Sequence, residues 1–248
     1  MATTIYYFTG TGNSQMIAEE LAAILTDCKT EKITPGLAKG ALLDGCTGIV
    51  FPVYFLGLPH IVREFLTNAE IQNGNYCFAV ANMGNMTGNA LPFVRKILKS
   101  HGVCLQAEYA IKMPENYTPM FKPETNAEQE KLFHAARQKI KAIADDVRNR
   151  RKLKPKFYHP LFNIYHNFMH KEIAKKDKNF TVQSTCNGCG KCKKVCPVSN
   201  ISLEKGIPEW HHNCEYCFAC LHYCPQKAIN CGKNTINRER YQNPYIKR

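Results

Sequence analysis

The chain reads as an α/β protein built on a parallel sheet, followed by a small cysteine-rich module. Two observations predict this. Across residues 1–150, β-branched and aromatic runs alternate with helical repeats, and parallel pairing follows because each crossover must carry a helix back over the sheet. Eight of the 13 cysteines then fall within residues 186–224 of a 248-residue chain, a length that suits one large domain and one small one.

The first strand is expected over residues 3–8, where Thr3, Thr4, Ile5, Tyr6, Tyr7 and Phe8 are β-branched or aromatic, and Gly10 and Gly12 then break it. A helix follows, with Ile17, Leu21, Ile24 and Leu25 on one face. A buried strand is expected over residues 48–53, and after Pro59 a helix bearing Ile61, Val62, Phe65 and Leu66. The run from Asn75 to Val80 gives a third strand, followed beyond a glycine-rich stretch by a helix through Val94, Ile97 and Leu98. Weaker strand signals at residues 29–33 and 105–112 make five. Thr125 and Glu128 form a capping-box pattern, after which Phe133, Ala136, Ile140, Ile143, Ala144 and Val147 recur at helical spacing, so this domain ends near residue 150.

The net charge of +13 is unevenly placed. Residues 1–147 carry 13 Lys/Arg against 14 Asp/Glu, residues 148–180 carry 10 against 2, and residues 181–248 carry 10 against 4. The basic excess therefore lies in a linker over residues 151–180 and in the module over residues 181–248, where it suits an acidic protein, nucleic acid or a membrane surface. In the linker, Phe157, Leu161, Ile164, Tyr165, Phe168 and Met169 recur at roughly helical intervals. This segment is expected to dock one domain on the other while its lysines face water or an acidic partner; a membrane-surface helix and a nucleic-acid patch are the alternatives weighed against that reading. Neither a basic-flanked leader nor an apolar run of about 18 residues occurs, so a reducing, cytoplasmic setting is expected.

Cys186, Cys189, Cys192 and Cys196, followed by Pro197, recur 28 residues later as Cys214, Cys217, Cys220 and Cys224, followed by Pro225. Three cysteines at intervals of three let one short loop wrap three corners of an iron–sulfur cube, and in a two-cluster arrangement the fourth ligates the other cube. The expected ligand sets are Cys186, Cys189, Cys192 with Cys224, and Cys214, Cys217, Cys220 with Cys196. Zinc also uses Cys-x2-Cys pairs, but its ribbons rarely stack three cysteines in seven residues and then duplicate them. Two [4Fe–4S] clusters are expected, and with them single-electron transfer.

Between the first strand and first helix lie Thr9, Gly10, Thr11, Gly12, Asn13 and Ser14. Glycines let backbone N–H groups turn inward, hydroxyls can donate, and a helix N-terminus favours negative charge, so this loop suits a phosphate. A nucleoside-triphosphate loop would need a Gly-Lys-Ser/Thr ending, which is absent, and a dinucleotide fingerprint would need glycine where Gln15 stands. A plain tight turn is the remaining alternative.

The threonine-rich loop resembles the phosphate loop of flavodoxins, and the strand–helix order of residues 1–150 is similar to that fold, a five-stranded sheet of order 2-1-3-4-5. The resemblance implies FMN, lying at the carboxyl ends of the strands where strand order reverses. Two more loops would then hold the ring. The first is Pro52, Val53, Tyr54 and Phe55, with Tyr54 expected to stack on the isoalloxazine. The second runs through Asn82, Met83, Gly84, Asn85 and Gly88, whose small residues and amides suit the flavin's polar edge. Residues 180–232 resemble bacterial two-cluster ferredoxins, although Lys191, Lys193 and Lys194 depart from the acidic surface common among free ones. From Thr9 to Cys224 the chain resembles the EFR1-type flavodoxin–ferredoxin fusion family, which implies an electron relay between FMN, two clusters and an external redox partner. An FMN-dependent reductase of a small substrate and a redox-sensing nucleic-acid regulator are the alternatives, and neither a nucleic-acid nor a membrane partner is expected.

Cys28, Cys46, Cys77, Cys104 and Cys231 lack ligand-like spacing and are expected to be small buried thiols. His159, His166 and His170 share the linker, yet two histidines on one helical face with no carboxylate or cysteine beside them do not make a metal site. No side chain stands out as a dedicated acid, base or nucleophile.

Overall fold

A computed structural model describes residues 2–72 and 76–247; the expected start of the third strand at Asn75 lies outside the described residues. Strand β1 (Thr3–Tyr7) and helix α1 (Asn13–Leu25) lead into β2 (Cys28–Lys32), and β3 (Cys46–Pro52) into α2 (His60–Asn68). Then come β4 (Cys77–Met83), α3 (Ala90–Ser100), β5 (Leu105–Lys112) and α4 (Asn126–Arg148). All neighbours in the sheet pair in parallel, β2 with β1, β1 with β3, β3 with β4 and β4 with β5. The order 2-1-3-4-5 is the flavodoxin-like doubly wound order.

Side-chain alternation splits the core into two layers. Ile5, Tyr7, Val50, Phe78 and Val80 face α1 and α4, where Met16, Ile17, Leu21, Phe133 and Ile140 meet them. Tyr6, Phe8, Ile49, Phe51 and Ala79 face α2 and α3 on the other side, against Val62, Phe65, Leu66 and Val94. Because both faces are covered, the central strands are apolar throughout rather than alternating. The Thr125–Glu128 capping box is formed at the start of α4, with Thr125 N–H donating to Glu128 at 2.9 Å. A two-residue parallel pair, Leu42–Leu43 with Glu70–Ile71, was too short to leave a period in the sequence.

Residues 151–159 form a strap without regular structure, followed by α5 (Pro160–Glu172) and a 3-10 turn over Ile173–Asn179. Proline at the first position of α5 suits the helix start. The helix docks by its histidines: His166 is buried and its Nδ1 donates to the Phe55 carbonyl at 3.1 Å. The apolar side chains Leu161, Ile164, Tyr165 and Phe168 lie on the outside instead. Of the cysteines outside the repeat, Cys46, Cys77 and Cys231 are buried, but Cys28 is half-buried and Cys104 exposed, because one opens an edge strand and the other sits in the turn before β5.

The cysteine module adds β6 (Phe180–Val182), α6 (Lys191–Val195), β7 (Ile201–Glu204), β8 (Ile207–Trp210), α7 (Ala219–His222) and β9 (Ile229–Cys231). Strands β7 and β8 form one antiparallel pair, β6 and β9 another. The repeat extends to backbone conformation. Gly188 and Tyr216, Gly190 and Phe218, and Ser199 and Lys227 are each 28 residues apart, and all six have positive φ. Among the described residues no helix is long and apolar enough to cross a membrane.

Candidate functional site

Three cavities hold most of the residues singled out by sequence. The first, with an empty space of about 320 Å³ including its open mouth, is lined by Cys186, Cys189, Cys192 and Cys224. The second, about 300 Å³ by the same measure, is lined by Cys196, Cys214, Cys217 and Cys220. Each pocket thus gathers three cysteines of one loop and the fourth of the other. Backbone amides point at the sulfurs in matching places: Asn200 N–H donates to Cys196 Sγ at 3.2 Å and Ala228 N–H to Cys224 Sγ at 3.3 Å, with Tyr216 N–H on Cys214 Sγ at 3.2 Å. Burial pushes the Cys192, Cys196, Cys214 and Cys220 thiols up, so a bound cation's charge is what would hold them as thiolates. Among the described residues no three His, Cys, Asp or Glu side chains converge closely enough to hold a single ion. The thiols surround a space instead, as the corners of a cube require, and the donor set fits [4Fe–4S].

The third cavity is larger, about 1260 Å³ with its open mouth, and lies at the carboxyl ends of β3 and β4. Pro52, Val53, Tyr54 and Phe55 line one side, and Asn82, Met83, Gly84 and Asn85 another. The far wall was not visible in the sequence: Tyr117 from the loop after β5, Tyr165 from α5, and Tyr216, Cys217 and Phe218 from the cysteine module. Cys217 therefore lines both this cavity and the second pocket.

The turn at residues 54–57 sets this geometry. Tyr54 and Gly57 exchange backbone hydrogen bonds at 3.0 and 2.9 Å, and Phe55 and Leu56 between them have φ of 48° and 61°, the two positive values of a tight hairpin turn. A Cβ on Gly57 would stand 2.3 Å from the His166 ring, so glycine is what lets α5 press against the turn. Phe55 is thereby turned into the module's core, stacked on Tyr216 with centroids 6.1 Å apart, while Tyr54 packs against Val195, Cys217, Ala219 and Tyr223. Glu215 fastens the same contact from the other direction. Its buried carboxylate accepts N–H bonds from His60 at 2.8 Å and Ile61 at 2.7 Å, at the N-terminus of α2.

Of the expected phosphate loop, only Asn13 reaches the large cavity. Thr9, Gly10, Thr11, Gly12 and Ser14 lie outside its lining, because the cysteine module and the C-terminal tail fold over the loop. A Cβ on Gly10 would stand 2.6 Å from the Cys217 carbonyl, and one on Gly12, whose φ is 107°, would stand 2.8 Å from Asn243. Asn243 N–H and the Tyr223 hydroxyl both donate to the Thr11 carbonyl, at 3.0 and 3.2 Å, and Tyr241 donates to Asn13 Oδ1. The hydroxyls keep the chemistry a phosphate needs. Thr11 Oγ1 accepts from Asn116 Nδ2 at 2.7 Å and Ser14 Oγ accepts from Asn82 Nδ2, which leaves each O–H proton to donate. Gly88 is absent from the cavity as well. Its φ of 52° closes a turn against the Leu56 backbone, 2.4 Å from where a Cβ would stand, so its role is to shape the loop rather than to touch a ligand.

A family model described as a 4Fe-4S binding domain matches residues 181–202. A component of the ion-translocating oxidoreductase complex of Methanosarcina acetivorans is 40% identical over 55 residues, 22% of this chain and 21% of that protein, so the likeness spans about a fifth of the relative's length. Among solved structures, a putative flavoprotein from Bacteroides uniformis is 17% identical, covering 56% of this chain and 97% of that one, with a TM-score of 0.39. The two-electron reduced flavodoxin of Megasphaera elsdenii is 18% identical over 55% of this chain and 98% of that one, at a TM-score of 0.35. A chain described as flavone reductase is 11% identical and covers 87% of this chain and 85% of its own length, at 0.37.

Proposed function

We propose that the chain is an intramolecular electron relay, with FMN in the large cavity and a [4Fe–4S] cluster in each cysteine-lined pocket. The observation that carries this reading is the shared wall at Cys217, a cluster ligand set against the cavity that the flavin-type loops enclose. When bound, the flavin would supply exchange between a two-electron carrier and single electrons, and each cluster one electron at a time. The chain's own residues supply the geometry. Asn13 is the phosphate-loop residue that would meet the flavin in this cavity, Tyr54, Tyr117, Tyr216 and Phe218 would confine the ring, and the amides of Asn82 and Asn85 would face its polar edge. The outer end of the relay is the pocket of Cys186, Cys189, Cys192 and Cys224, where Cys189 is exposed beside Lys191, Lys193 and Lys194; an acidic redox protein is the partner that suits it. This arrangement supports membership of the flavodoxin–ferredoxin fusion family. Anaerobic purification should give about eight irons and one FMN per chain; zinc in place of iron, or a chain without flavin, would overturn the reading.

The open mouth of the large cavity favours a second reading, an FMN-dependent reductase of a small substrate fed by its own clusters. Met86, Met120, Phe121 and Tyr165 rim that mouth and are exposed. A flavin absorbance spectrum left unmoved by small-molecule acceptors, while a protein acceptor is reduced, removes it.

A further inference from the structure

Helix α5 leaves a complete apolar face unpartnered. Leu161, Ile164, Tyr165 and Phe168 follow the i, i+3, i+4, i+7 spacing of one helical stripe and are 65%, 66%, 45% and 66% exposed, with Phe157 ahead of them at 80%. Soluble surfaces rarely expose contiguous apolar area of this kind without a use for it. The opposite side of the helix is already committed to the protein through His166, so the stripe cannot turn inward.

Charge says what covers the stripe. Arg150 and, in the strap before α5, Arg151, Lys152, Lys154 and Lys156 are exposed, as are Lys171 in the last turn of α5 and Lys175 and Lys178 in the 3-10 turn after it. Over residues 148–180 there are 10 Lys/Arg and 2 Asp/Glu, and one of those two, Asp177, is buried, bonded to Asn200 and His212. An apolar stripe with basic residues at both ends matches an anionic interface into which the side chains can sink. All of these side chains but Tyr165 are 65% to 80% exposed and stand clear of the chain's own surface.

We propose that α5 seats the protein on an anionic lipid surface, its Leu161, Ile164, Tyr165 and Phe168 stripe entering the headgroup region. Tyr165 belongs both to the stripe and to the rim of the large cavity, so the cavity mouth opens beside the lipid surface. A lipid partner of this kind departs from the expectation that no membrane is involved.

The test uses the anaerobically purified holoprotein and vesicles of phosphatidylcholine, alone or mixed with phosphatidylglycerol. The chain is expected to sediment with the mixed vesicles at least about tenfold more tightly than with the neutral ones. I164E/F168E alters only exposed side chains; it should keep its iron and flavin content and lose about tenfold or more of this binding. K154Q/K156Q/K171Q/K175Q should lose the preference for the anionic vesicles. A wild-type chain that stays in the supernatant with both vesicles overturns the proposal, as does I164E/F168E sedimenting like wild type. So does a dimer in analytical ultracentrifugation that I164E/F168E dissolves, since a second copy would then cover the stripe. Cofactor content is measured separately, so failure on vesicles leaves the relay standing, and a chain lacking iron or flavin fails the relay alone.

Discussion

At the scale of residues, the two cysteine loops share a backbone but differ where they face the large cavity. Glycine at 188 and 190 takes positive φ at no steric disadvantage, whereas Tyr216 and Phe218 adopt the same conformation at a strain of order 1 kcal/mol each. Both aromatic side chains line the cavity, which gives the strain a purpose. Asn187 and Glu215 differ likewise: one stays within its loop, where its Oδ1 accepts from Cys189 N–H at 3.3 Å, and the other reaches α2. The eight cysteines were legible because three in seven residues have few other uses. Glu215 was not, since a lone carboxylate between cysteines carries no spacing signal. Cross-ligation can be checked directly. Cys196→Ala should lower iron from about eight to about four per chain and leave the same electron paramagnetic resonance signal as Cys214→Ala. A match to Cys186→Ala instead would show that each loop ligates its own cluster.

Among the elements, the sheet and the helix in the linker were readable, but the face by which α5 docks was not. Runs such as Ile49, Val50 and Phe51 are apolar because both faces of β3 are covered, and that pattern survives any rearrangement of the surface. On α5 the apolar stripe invites the reading that it docks, yet the docked face is the one carrying His166 and His170. His170 stacks on His60 with centroids 4.2 Å apart, and Gly57 makes room for His166. Burial lowers His166 to about 4 and His170 to about 3, with Arg63 adding to both and His60 adding to His170; Glu64 acts on His60 beside them. The free histidine value is about 6.5. An undocked helix therefore binds protons between pH 6.5 and 4 that the docked helix does not, and docking weakens as pH falls through that window. Hydrogen exchange at α5 amides, corrected for intrinsic rates, should quicken from pH 7 to pH 5, by up to about tenfold per pH unit for each histidine involved. His166→Gln with His170→Gln should flatten this dependence; a wild-type profile without slope would exclude it.

In the whole molecule, the C-terminal tail closes the site that the N-terminal loop begins. Tyr241 and Asn243 are buried against Asn13 and Thr11, and His222, whose Nδ1 accepts from Tyr241 N–H at 3.0 Å, uses Nε2–H to hold the Asn116 carbonyl at 2.9 Å. Removing residues 241–248 should weaken FMN binding about tenfold or more through the lost hydrogen bonds, read as flavin fluorescence released on dilution, with iron near eight per chain. Unchanged flavin affinity would reduce the tail to packing. The sequence by itself determined the alternation of strands and helices, the glycine–threonine loop and the duplicated cysteines, because each is written in local spacing that one element must obey. Only the tertiary structure decided that Cys217 walls the large cavity, that the tail covers Gly12, and that α5 turns its histidines inward. Those outcomes depend on contacts between residues up to 232 positions apart, from Thr11 to Asn243, which no local period encodes.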